Sequence, residues 1–146
     1  MRYTLALDPG KANGWAFFDS ETNQCVTGEA QFEEMCERME RAVERYGKEL
    51  QIVAERFIIG PHTHKDSQAP WSLEMIGVAR NYARKASGSL LLTGASEAKN
   101  FAFNGRLKAL GWYKGGAGHS DDAARVLLHH LATRRKWWDE RLESTI

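Results

Sequence analysis

Proline is scarce in this chain, three residues in 146, and cysteine scarcer still, with two. So little proline, with 42% hydrophobic residues, argues against a disordered or low-complexity chain and for a globular one with a core to bury. Cys25 and Cys36 are too few and too unpatterned for a disulfide framework or a zinc site, which fits a reducing cytoplasm. No stretch reaches the roughly 18 unbroken apolar residues of a spanning helix, and the N-terminus runs straight into an acidic turn at Asp8, so membrane insertion and secretion are disfavoured. Charge of neither sign prevails: 20 basic against 19 acidic residues leave +1. Any grip on a polyanion must therefore come from how charge is distributed.

That distribution is uneven. Between Glu29 and Leu50 seven acids face four bases, whereas between Ile76 and Gly118 seven bases (Arg80, Arg84, Lys85, Lys99, Arg106, Lys108 and Lys114) face Glu97 alone. One basic half of a neutral protein can still hold phosphates. The length suits a single domain spanning 1–146.

Residues 3–8 read as a buried strand broken by Asp8-Pro9-Gly10, so an acid sits where the strand ends. Short strands at Trp15–Asp19 and Cys25–Gly28 suggest an antiparallel meander. Phe32, Met35, Cys36, Met39, Val43 and Tyr46 recur at helical spacing, making an amphipathic helix. Ile52–Glu55 is a second buried strand closed by an acid, followed by a polar loop holding His62 and His64. A helix from about Trp71 to Ala86, a strand at Ser89–Leu92, a helix capped by Ser96 and running through Phe103, a flexible glycine-rich run from Gly105 to Gly118, and a last helix from about Ser120 to Lys136 complete the chain. This order gives an α/β sandwich around a mixed sheet. A right-handed crossover returns the Ile52–Glu55 strand beside the first, which sets Asp8 and Glu55 side by side.

Two carboxylates at neighbouring strand ends repel, and a fold tolerates the pair mainly when a cation neutralises it; oxygen ligands favour Mg²⁺ or Mn²⁺. The third candidate group is His119-Ser120-Asp121-Asp122. His119 and Asp122, three apart, share a helix face, while Asp121 is rotated about 100° from Asp122, so pairing favours Asp122.

Leu5-Ala6-Leu7-Asp8-Pro9-Gly10 with Gly14, then Val53-Ala54-Glu55, then His119-Ser120-Asp121-Asp122-Ala123-Ala124 resemble, in order and spacing, the RuvC family of Holliday junction resolvases. Leu73 to Arg80 and Ala95-Ser96-Glu97-Ala98-Lys99 resemble that family's intervening segments, and the match spans roughly residues 3–132. The resemblance implies a ribonuclease H-like fold, a mixed five-stranded sheet with helices on both faces, and a homodimer. It further implies Asp8, Glu55, His119 and Asp122 as ligands of two Mg²⁺ (or Mn²⁺) ions per active site, with Lys99 near the scissile phosphate. A histidine at the third position lowers the site's negative charge by one relative to an aspartate. The small size suits a phage-encoded member.

The expected activity is then metal-dependent, structure-selective DNA endonuclease action, symmetric nicking of four-way junctions or other branched DNA in the cytoplasm. Phe57 is a candidate for stacking on a base, and Arg80, Arg84, Arg106 and Lys108 for holding flanking phosphates. A broader ribonuclease H-like nuclease and a non-catalytic DNA-binding module of the same fold are the alternatives. An actin-like kinase, which also opens on a strand, an acid and a glycine turn, needs two lobes around ATP. Trp137 and Trp138 are expected to pack against the body or a partner subunit, and His129 and His130 to be exposed or interfacial.

Overall fold

Alternation along the first strand, β1 (Tyr3–Asp8), decides the layering: Leu5 and Leu7 point to one face of the sheet, Ala6 and Asp8 to the other. The structure, a computed structural model, describes residues 1–61 and 69–146. The loop carrying His62 and His64 lies outside the described residues.

The other strands are β2 (Ala12–Asp19), β3 (Gln24–Gln31), β4 (Leu50–Glu55) and β5 (Leu91–Thr93). They form one five-stranded sheet in the order β3-β2-β1-β4-β5. β1, β2 and β3 run antiparallel in sequence, whereas β4 lies parallel to β1 and β5 parallel to β4. Helices α1 (Phe32–Tyr46) and α2 (Ala69–Lys85) cover one face, where Leu5, Leu7, Ile52 and Ala54 meet Met35, Met39, Met75 and Ala79. On the other face lie α3 (Ala95–Phe101), α4 (Asn104–Leu110) and α5 (His119–Thr133). There Ala6, Ala16, Phe18 and Val53 meet Ala123, Ala124, Leu127 and Leu128. Each fully buried Leu or Met contributes about 1.5–3 kcal/mol of transfer free energy, so both faces supply driving force. The small residues Ala6, Ala16, Ala123 and Ala124, all fully buried, let α5 lie close on the sheet.

The architecture is the ribonuclease H-like mixed sheet with helices on both faces. Four details depart from the sequence expectations. The stretch from Gly105, expected to be flexible, contains α4, whose Leu107 and Leu110 are buried and whose last turn closes on the left-handed Gly111 (φ 73°). Gly94, not Ser96, is the N-cap of α3, so no hydroxyl caps that helix. The last helix stops at Thr133 because the chain turns back, and Trp137 donates its backbone N–H to Leu131 O. His130 is 1% exposed, not at the surface, since it follows Leu127 by three positions on the buried face.

Trp137 does pack on the body, stacked on Trp112 with centroids 5.9 Å apart and edge-on to Phe18. Both cysteines are free. Among the described residues no helix is long and apolar enough to cross a membrane.

Candidate active site

Parallel register pairs Leu7 with Ala54, which brings the next residues, Asp8 and Glu55, together at adjacent strand ends. Both follow residues of the α5 face at period two, Ala6 and Val53, so both acids look toward α5. They touch. Burial is the main cause that pushes Asp8 up to about 6, and burial followed by the neighbouring Asp8 charge pushes Glu55 up to about 8. Each carboxyl faces the other, so the pair as a whole titrates above the ordinary carboxylate range.

The third element is the start of α5. Gly118 (φ 91°) takes the left-handed conformation at its N-cap, and His119 follows at the first helical position. The Nδ1 atom of His119 lies 3.1 Å from Asp8 Oδ2. Three residues on, Asp122 is close enough to raise both Asp8 and Glu55 electrostatically, while its Oδ1 lies 3.4 Å from Arg125 Nε. Lys99, exposed on α3, counters both acids and lies among Glu55, Asp122 and Arg125.

Asp121 has a different task. It is 3% exposed, and its two oxygens accept the backbone N–H groups of Lys114 and Gly115 at 2.8 Å each. It fastens the glycine-rich turn to α5, which leaves Asp122 as the acid of this motif that faces Asp8 and Glu55.

Glu29 was not a sequence candidate, yet it stands at the same place. Register sets Asp8 opposite Gly14 and Gly14 opposite Glu29, a row across three strands at one end of the sheet. Glu29 Oε1 accepts the backbone N–H of His119 at 3.2 Å, and its charge raises Asp8. The register of β3, legible only once the β2–β3 turn is known, was the missing signal. Arg125 was missed for a similar reason: it donates to Ala102 O at 2.8 Å and to Asn104 Oδ1 at 2.7 Å, contacts made across elements.

The expected phosphate-holding residues are scattered. Arg80 and Arg84 line a groove with Gly88, Ser89 and Leu90, the residues leading into β5. β4 and β5 are parallel and β4 ends at Glu55, so these arginines sit at the opposite end of the sheet from the acids. Arg106 is tied down: it donates to Phe101 O at 2.9 Å and Thr145 Oγ1 at 3.1 Å and stacks over Phe101 and Phe103. Lys108 is exposed and lies over the Tyr113 ring. Phe57 is half-buried, two residues beyond Glu55, and is followed by the exposed Ile58 and Ile59.

Carboxylate oxygens and one imidazole nitrogen suit a hard divalent cation, and two part-buried acids facing each other are the kind of pair that a cation relieves. Among the described residues no three His, Cys, Asp or Glu side chains close on one point as a finished cage. Instead, Asp8 bridges Glu55 on one side and His119 on the other.

Sequence comparison gives no relatives: no family model and no curated protein sequence matches the chain. Comparison of structures does. RuvC of T. thermophilus, solved in complex with a Holliday junction substrate, superposes with a TM-score of 0.67 at 13% identity, over 93% of this chain and 96% of that one. The chain thus has the ribonuclease H-like fold in its RuvC form, with nearly all of both chains included. A Fowlpox virus resolvase with Holliday junction DNA (TM-score 0.39, 11% identity, 97% and 82% covered) and RNase H1 from Halobacterium salinarum NRC-1 (0.41, 17%, 84% and 100%) are more distant.

Proposed function

We propose that the protein is a metal-dependent DNA endonuclease that nicks branched DNA, four-way junctions foremost, and acts as a homodimer. One observation carries this reading: Asp8 and Glu55 meet at adjacent parallel strand ends on the face where α5 presents His119 and Asp122. The likeness in fold to a protein solved on a Holliday junction supports the choice of substrate.

Asp8, Glu55, His119 and Asp122 would hold the cations, Mg²⁺ or Mn²⁺, two per site. Bound there, such ions activate water for in-line attack on phosphorus and offset the charge of the leaving 3′ oxygen. The chain's own residues prepare this. Asp8 and Glu55, which titrate above the ordinary carboxylate range, would have to be deprotonated for both carboxylates to serve as ligands. Glu29 and Asp8 hold His119 between them, one through its backbone N–H and one through its ring. Lys99 places positive charge beside the acids, where it can bind the scissile phosphate. A four-way junction has two-fold symmetry, so two such sites in a dimer cut opposing strands alike.

Parallel digestion of a labelled four-way junction, a fork and a linear duplex, with Mg²⁺ or with EDTA, tests this. Paired nicks in the junction with Mg²⁺ alone are expected. Equal rates on all three substrates favour a nuclease of broader specificity, and no cleavage of any of them contradicts the reading.

A further inference from the structure

On the face opposite α5, Leu5, Phe17 and Val26 stand in one row across β1, β2 and β3. Val26, on the edge strand, continues that apolar row yet leaves 57% of its surface in water. A groove of about 420 Å³ runs over the row, floored by Leu5, Trp15, Phe17 and Val26 and walled by α1. At Phe17, Val26, Arg45 and Tyr46 it opens into a hollow of about 740 Å³, so the two form one trough. Asp8 and Glu55 look toward α5, and the sheet separates them from this trough. Among the described residues, the charged ones that line the smaller groove are three arginines of α1, Arg38, Arg41 and Arg45. Their spacing puts them on one helix face, with about 10 Å from first to last. Arg38 is engaged, lying over the Trp15 ring at 4.6 Å and donating to Glu34. Arg41 comes no nearer to an acid than the exposed Glu37, at 3.9 Å, and Arg45 lies over Tyr46 with no acid paired to it among the described residues. In the larger hollow, by contrast, Asp19 and Glu21 are both paired with Arg2 at 2.9 Å. The trough therefore sets unanswered positive charge beside an apolar floor.

Its occupant must bring carboxylates or other anions together with apolar groups. A duplex backbone would meet the arginines but bury none of the floor. Unpaired bases need open ring faces, whereas Tyr3, Phe17 and Tyr46 pack on one another, with centroids 4.2, 5.2 and 5.7 Å apart. A second copy bound through the same patch would set arginine against arginine. The geometry points to this trough as the docking site for an acidic segment of a partner protein, whose apolar side chains cover Phe17, Val26 and Tyr46 while its carboxylates meet Arg41 and Arg45. The assignment uses no residue of the strand-end site and is independent of the nuclease reading. A partner held there leaves Asp8, Glu55, His119 and Asp122 open to DNA.

The test pans a phage-displayed library of random dodecapeptides on the full chain. The most enriched sequence is then synthesised with a fluorescent label and titrated, by anisotropy, with wild type, the double variant Arg41→Glu/Arg45→Glu, and Val26→Asp. All three side chains are exposed, thermal melting confirms that the variants fold, and the two variants alter different elements, so either alone carries the test. Enriched sequences are expected to intersperse Asp and Glu with Leu, Ile or Phe. Like charge facing the peptide is expected to weaken its binding about ten-fold or more in each variant, and unlabelled oligo(dT) should not displace it. Both variants are expected to cleave a four-way junction at the wild-type rate. No enrichment, an enriched sequence without acids, or equal affinity for wild type and both variants overturns the docking site and leaves the nuclease reading standing. Oligo(dT) that binds wild type and is lost from the arginine variant assigns the trough to single-stranded nucleic acid and overturns it too. So does loss of junction cleavage in the folded variants, which would place the trough on the path of the DNA.

Discussion

The carbonyl oxygen of His119 lies 1.7 Å from the point where a Cβ on Gly14 would stand. Gly14 is buried in the middle of the row Asp8, Gly14, Glu29, and its bare backbone is what lets the first turn of α5 reach the strand ends. The next nearest atoms are also backbone, so no side chain can rotate away. Gly14→Ala is therefore expected to cost about 3 kcal/mol or more, or to lift α5 off the sheet and separate His119 from Asp8. Denaturant unfolding with and without Mg²⁺ checks this: a variant that is still folded should have lost the stabilisation by the cation.

Asp121 and Asp122 should separate by phenotype. Asp121→Ala leaves two part-buried N–H groups, of Lys114 and Gly115, without their charged acceptor and is expected to destabilise by about 2 kcal/mol. Asp122→Ala removes a part-exposed carboxylate paired at 3.4 Å and should change stability by about 1 kcal/mol or less while abolishing cleavage. Chemical denaturation combined with a nicking assay distinguishes the two, and the reversed pattern would exchange their roles.

The raised titration of Asp8 and Glu55 sets a pH dependence. Asp8 and Glu55 titrate higher folded, at about 6 and about 8, than as free carboxyls, so the folded state holds more protons than the unfolded one. Stability without a divalent ion is then fullest at low pH, as far as these two groups are concerned, and declines as pH rises from about 4 through 8. A cation that binds the deprotonated pair would reverse this. The rise in Tm on adding Mg²⁺ should be small at pH 5 and larger at pH 8.5; a rise independent of pH would remove the pair as ligands.

His130 acts in the opposite direction. Neither ring nitrogen has a hydrogen-bond partner among the described residues, and burial, followed by Arg134 and Arg135, lowers it to about 4. A base that titrates lower folded than unfolded takes stability away as pH falls from about 6.5 through 4. His130→Leu is expected to raise Tm at pH 4.5 and to change it less at pH 7.5, measured in EDTA. A lower Tm at pH 4.5 would refute this.

The acids at the strand ends were legible because two rules suffice for them: an apolar run closed by an acid marks each strand end, and right-handed crossover makes the two strands neighbours. The choice of Asp122 over Asp121 followed from helical rotation alone. Glu29 was not legible, since its place depends on the register of a third strand. α4 was hidden by Gly105 inside it and Gly111 just after it, in a seven-residue helix whose apolar signal is Leu107 and Leu110, too short to show a period. Arg106 read as a free base because sequence does not reveal that Phe101, Phe103 and Trp138 surround it. His130 was legible in principle, three positions beyond Leu127, but a pair of histidines reads as polar surface.

The most direct measurement is the cleavage of a four-way junction by Asp8→Asn in Mg²⁺, set beside its binding of the same junction in EDTA. The change removes one charge and almost no volume from the residue that touches both Glu55 and His119. The account predicts at least about a hundred-fold loss of cleavage with junction affinity nearly unchanged. Cleavage at the wild-type rate would contradict it.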